Sequence, residues 1–222
     1  MCGRTVCISP LDVITQEFNI SSVAFEPSPN YNISPSQSIP VVINENGSNK
    51  LISCRWGFIP SWSKDETIGH KMINARAETI AEKSSFKKAF ASQRCLVIAD
   101  GFYEWRKKEK IKRPVYVHLK SGKPFGFAGL FNVWASPENK HICTSTIITT
   151  QANELLKPIH DRMPVILPKD KEKQWLDPNI HDASAVLPLL KPYSSEGLEF
   201  YNVSTKVNSP KNNSPECIRP IS

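Results

Sequence analysis

Along this chain apolar residues come in short, strand-sized blocks, and the blocks predict many strands with a few short helices between them. Leu11, Ile14 and Phe18 fall on one helical face after Ser9-Pro10, a pair suited to the N-cap and first helical positions. Residues 27–40 are too irregular for a regular element. Residues 40–43 read as a strand, Asn46-Gly47 as a turn and 51–56 as the next strand. Trp56-Gly57-Phe58-Ile59-Pro60-Ser61-Trp62 follows as an aromatic loop. A helical turn is expected over 77–81 and a helix over 86–93, capped by Ser84 or Ser85. Residues 94–101 form a buried strand ending in a turn, and 102–105 carry it into a hairpin. Strands follow at 114–119, 125–134 and 142–150, then a strand after Met163, a helix near 170–176 and a strand around 200–203. No internal repeat or boundary interrupts the pattern, so residues 1–222 are expected to form one domain.

Composition narrows the class. Hydrophobic content of 40% and charged content of 22% suit an ordinary globule, and no apolar run approaches a membrane span. A basic n-region followed by an apolar h-region is missing at the N-terminus, so a cytoplasmic protein with reduced thiols is expected. The six cysteines form no C-x-x-C pair, which argues against a zinc site or a disulfide framework. Cys95 and Cys143 read as buried hydrophobes. The net charge of +7 suits an anionic partner. Part of it lies in the run 106–113, either a solvated turn or a phosphate contact.

Candidate chemistry starts at Met1-Cys2-Gly3-Arg4. Removal of Met1 gives Cys2 a free α-amine beside its thiol. The amine condenses with an aldehyde to an imine, and the thiol closes onto the imine carbon as a five-membered thiazolidine. An α-amine titrates at roughly 7.7–8.0 and a thiol near 8.5, so both can act near neutrality. Arg4 adds a fixed cation suited to phosphate. Trp56, Phe58 and Trp62 either stack on bases or belong to the core. Glu104, between Tyr103 and Trp105, is either a surface carboxylate or a partly desolvated one with a raised pKa. His160, beside Asp161 and Arg162, is either a structural loop histidine or a proton-transfer group.

Four stretches together resemble the SOS response-associated peptidase (SRAP) family: residues 1–4, 73–79, 99–105 and 159–164, with 56–62 fitting the same pattern. The resemblance covers essentially the whole chain. Two departures, Thr5 in place of an aromatic and Ser34 in place of alanine before Pro35, lie outside the proposed chemistry. The resemblance implies an α+β fold, a single compact domain with a curved, barrel-like mixed β-sheet and short flanking helices. It also implies a protein that captures abasic (AP) sites in single-stranded DNA as a covalent cross-link, shielding the lesion from strand cleavage. Met1 is removed first, either by an autopeptidase activity or by a cellular aminopeptidase. In that reading Cys2 is the nucleophile, Glu104 moves the proton that opens the sugar ring, His160 assists at the imine stage and Asn74 holds the terminus or the sugar. Arg4, Arg76 and Arg162 would bind phosphates, with Trp62 and Trp105 also at the DNA. No metal, nucleotide or organic cofactor and no membrane is called for, and a monomer is expected.

Two alternatives differ in class. Class II glutamine amidotransferases also begin Met-Cys-Gly and use an N-terminal cysteine nucleophile, though an aliphatic residue usually follows where Arg4 stands here. A non-covalent nucleic-acid-binding module would use the basic run and the tryptophans, and its complex would fall apart in denaturant.

Overall fold

The computed structural model describes residues 2–108 and 111–221. In chain order the strands are β1 (Thr5–Cys7), β2 (Ile20–Val23), β3 (Asn30–Ile33), β4 (Ser38–Glu45), β5 (Ser48–Trp56), β6 (Asn74–Arg76), β7 (Arg94–Ala99), β8 (Gly101–Lys108), β9 (Ile111–Leu119), β10 (Phe125–Ala135), β11 (His141–Gln151), β12 (Arg162–Pro164) and β13 (Leu198–Asn202). The α-helices are short: α1 (Leu11–Glu17), α2 (Lys87–Ser92), α3 (Lys169–Leu176) and α4 (Ala183–Val186). None of the described helices is long and apolar enough to cross a membrane.

A closed five-stranded mixed barrel sits at the centre of this single α+β domain. Neighbours run β11-β10-β7-β4-β5, and β5 returns to β11 through the parallel pairs Thr144–Arg55 and Ser145–Trp56. Closure removes the exposed edges that an open sheet would leave. The buried strand expected over 94–101 is β7, buried at every position because it is covered on both faces. Behind it, buried Arg94 donates to the carbonyls of Phe90 and Trp175, tying α2 and α3 to the barrel. The second sheet runs β13-β9-β8-β1-β3, so the N-terminal strand lies between two partners. Gly101 begins β8 because a Cβ there would meet the Tyr116 ring at 2.4 Å.

Several expectations are corrected. Ser9 does not cap α1, whose N-cap is Pro10; its hydroxyl donates instead to the Asp100 carboxylate, which also accepts the N–H groups of Ile8 and Ser9. Phe86, without a side-chain cap bond, stands where Ser84 or Ser85 was expected. The irregular passage 27–40 contains β3, which pairs with β1. Cys54 and Cys143 are joined as a disulfide between β5 and β11, beside the pair Thr144–Arg55 that closes the barrel. Isolated spacing along the chain carries no sign of a pairing made by strand register. Trp56 and Phe58 are core residues, each 1% exposed.

Candidate nucleic-acid site

The site begins where β1 enters its sheet. Arg4 O accepts from the N–H of Tyr103 at 3.0 Å, and Thr5 lies opposite Phe102, so the residues before β1 run beside β8. Cys2 is fully buried, and Asn74 Nδ2 donates to its carbonyl at 2.8 Å. Asn74 is placed by β6, whose register opposite Ile147 on β11 is parallel. Burial pushes the Cys2 thiol far above its ordinary range, and the Glu104 carboxylate adds to the effect. Burial therefore favours the neutral thiol.

Glu104 is 4% exposed. Its carboxyl is raised above the ordinary range, first by burial, against the opposing backbone N–H of Trp105, with Asp161 adding least. The cause is not the flanking aromatics suggested by the sequence. Strand alternation sends Phe102 and Glu104 to one face of β8 and Tyr103 and Trp105 to the other, where they join a second hydrophobic cluster. Val115, opposite Glu104 on β9, also belongs to the main core.

His160 precedes β12. Its Nδ1 accepts from the Arg162 N–H at 3.0 Å and lies 2.7 Å from Asp161 Oδ1. Burial holds its pKa below the ordinary value, Asp161 partly offsets this and Arg162 adds to it. His160, Asp161, Arg162, Arg76, Gln151 and Lys157 line an open cleft of about 730 Å³.

The three arginines expected at phosphates have different surroundings. Arg76 is exposed on the cleft wall. Arg4 is 9% exposed, donates to Asn32 Oδ1 at 2.6 Å and to Val207 O at 2.8 Å, and lies 5.9 Å over the Trp105 ring. Trp105 in turn donates to Asn208 Oδ1. These two build the second cluster's edge instead of facing Glu104. Arg162 is only 14% exposed at its side chain, and its guanidinium is clamped bidentately by Glu78 at 2.6 and 3.0 Å. Trp62 is 58% exposed and borders a separate groove with Pro60, Ser84 and Lys88. Of the basic run, Glu109 and Lys110 lie outside the described residues; Arg106 pairs with Arg113 in a hairpin. Sequence reading missed Glu78 and Asn32, since nothing local marks a carboxylate or amide whose partner is 84 or 28 positions away.

Residues 1–210 match the family model described as SOS response associated peptidase (SRAP). The abasic site processing protein YoqW of Bacillus subtilis (strain 168) is 51% identical over 221 residues, covering 98% of this chain and 99% of that protein. The abasic site processing protein HMCES of Xenopus tropicalis is 32% identical, covering 100% of this chain and 78% of that protein. A crystal structure of a protein from Bacteroides thetaiotaomicron superposes with a TM-score of 0.89 at 26% identity, covering 100% of both chains. The family-model match and the near full-length similarity agree, and the chain belongs to the SOS response associated peptidase family.

Proposed function

We propose that this chain, once Met1 is removed, captures abasic sites in single-stranded DNA as a covalent cross-link through Cys2. The observation that supports it most is the convergence on Cys2. Asn74 holds its carbonyl, and Glu104 is buried on β8, the strand that pairs with β1 just after Cys2. The relatives named abasic site processing proteins supply the substrate class.

Each step balances with groups already present. An abasic deoxyribose is mostly a closed hemiacetal, so Glu104 moves the proton that opens the ring to the C1′ aldehyde. The Cys2 α-amine adds to C1′, and the carbinolamine loses water to give the imine, with His160 assisting at the sugar. The thiol then adds across C=N, forming the S–C1′ bond while its proton passes to nitrogen. The net change is loss of one water. Burial favours the neutral thiol, so its proton leaves as the bond forms, and in this reading Glu104 carries it to the nitrogen. Holding amine, thiol and aldehyde together lowers the barrier by proximity, worth roughly 7–11 kcal/mol in well-oriented systems. Ring closure also competes with β-elimination, which would cut the strand.

Removal of Met1 is the earlier hydrolytic step, since a peptide nitrogen cannot form the imine. Arg76 on the cleft wall and exposed Trp62 are the direct DNA contacts in this reading, whereas Arg4, Trp105 and Arg162 support the site through protein contacts. The protein acts as a monomer.

The test is intact mass after incubation with single-stranded DNA carrying one AP site. Processed protein should give a denaturant-resistant adduct equal to protein plus DNA less one water, without borohydride. Cys2→Ser keeps the amine but cannot close the sulfur ring, so its adduct should need reduction to survive. A processed wild-type protein that gave no adduct would overturn the reading.

A further inference from the structure

Two short strands carry the groups gathered around Cys2, and they flank the same end of β11. β6 pairs with β11 through Ile147, Ile148 and Thr149, and β12 pairs with it through Thr149, Thr150 and Gln151. Thr149 is common to both ladders. Neither strand exceeds three residues, so ladder bonds alone hold them weakly. Asn74 on β6 fixes Cys2, and the Arg162 N–H on β12 fixes His160.

Glu78 lies in the turn Ala77–Thr79 just after β6, and its two oxygens accept from both terminal nitrogens of Arg162. The same guanidinium donates to Thr149 O at 2.5 Å and approaches Thr149 Oγ1 at 3.3 Å. The clamp therefore crosses β11 and joins the strand that holds Cys2 to the strand that holds His160. A carboxylate and a guanidinium meeting in a fork fix direction as well as distance. Hydrogen bonds from Arg162 hold the Glu78 carboxyl below its usual range, and the Arg162 charge adds to the effect.

Resting on the function proposed above, we infer that Glu78 is a positioning residue for the cross-linking reaction, setting the distance between Cys2 and His160 by clamping Arg162 across Thr149. It touches no DNA in this role.

A positioning role has a signature that simple loss of stability lacks. Glu78→Gln removes the negative charge and one of the two paired acceptors. It should lower the single-turnover cross-linking rate at saturating AP-DNA by about tenfold or more, the scale expected when reacting groups shift slightly. The half-saturating DNA concentration should at the same time stay near the wild-type value, because the reacting groups and not the DNA contacts are displaced. Glu78→Asp retains the charge with a shorter reach and should restore part of the rate. Arg162→Lys keeps the cation but loses the fork, and should be slow with near-normal half-saturation.

The measurement is a time course of denaturant-resistant adduct at several DNA concentrations, run beside thermal unfolding of each variant. Wild-type protein without adduct overturns the proposed function and this inference with it. Wild-type adduct with a Glu78→Gln rate equal to wild type overturns this inference alone. So does a Glu78→Gln protein whose rate and affinity fall together in step with its melting temperature.

Discussion

Asn74 reaches across 72 positions of sequence to donate a 2.8 Å hydrogen bond to the Cys2 carbonyl, so Cys2, which precedes β1, is tethered by β6. The other amide atom of Asn74, Oδ1, is buried without a hydrogen-bond partner among the described residues. Asn74→Ala should release Cys2 and slow cross-linking by about tenfold or more, within the range for misplaced reacting groups. Asn74→Asp should be worse, since it turns an acceptor toward a carbonyl oxygen. Single-turnover adduct formation with AP-DNA checks both.

Glu104→Gln separates proton transfer from shape. The variant should bind single-stranded DNA as wild type does yet cross-link about 10²–10⁴-fold more slowly, the usual worth of general acid/base assistance. A borohydride trap should show its imine also forming slowly. His160→Ala, in contrast, should form imine at a rate closer to wild type and alter its conversion or reversal.

The same carboxyl has a stability signature. Its pKa is raised in the folded protein, so at pH values above the ordinary glutamate range, near 4.3, the folded state holds a proton that the unfolded chain has lost. Stability from this group is thus fully present below that range and is lost as pH rises through the folded value. Glu104→Gln removes the loss. Its melting temperature relative to wild type should climb from acidic toward neutral pH, and a flat difference would contradict a raised carboxyl.

Arg76→Glu should weaken binding to single-stranded DNA and reduce the logarithmic salt slope by at least about 0.7, the value for one phosphate contact on a single strand. Arg4→Gln should leave that slope alone and instead lower thermal stability. Its guanidinium serves Asn32 and the Val207 carbonyl inside the protein. Equal slopes for wild type and Arg76→Glu would remove Arg76 from the DNA path.

The Cys54–Cys143 link spans 89 positions, and closing a loop of that length restricts the unfolded chain by about 4–5 kcal/mol in the chain-entropy description. Reduction should therefore lower the unfolding midpoint without abolishing the barrel, whose strands pair independently of it. Alkylation of denatured protein should count two more thiols after reduction than before. Equal thiol counts would show that the link is not formed in solution.

Much of the candidate site was legible because its proposed members announce themselves locally. Cys2, Asn74, Glu104 and His160 each sit in a short motif with a chemical reason for the residue type, and β7 was plain from an unbroken apolar run. What escaped was set by register. Alternation along β8 separates Glu104 from Trp105, though they are neighbours in sequence. The fates of Arg4 and Arg162 depend on Asn32 and Glu78, partners supplied by other strands and turns. The same holds for Cys54 and Cys143, brought together by the parallel pairing that closes the barrel. β3 hid in a proline- and asparagine-rich stretch because its pairing with β1, not propensity, makes it a strand.

β1 lies between β3 and β8 in the five-stranded sheet, and Arg4 is already bonded to Tyr103 through its carbonyl. DNA joined to Cys2 would hence be anchored to an interior strand and not to a loose tail. Tension on the DNA would load two hydrogen-bonded ladders at once, in shear, and the strand could not be peeled away from one side. A protease that clears such an adduct has to unravel the sheet before it can cut near the linkage. Digestion of the native adduct should accordingly stop at the loops and leave the DNA carrying a folded remnant.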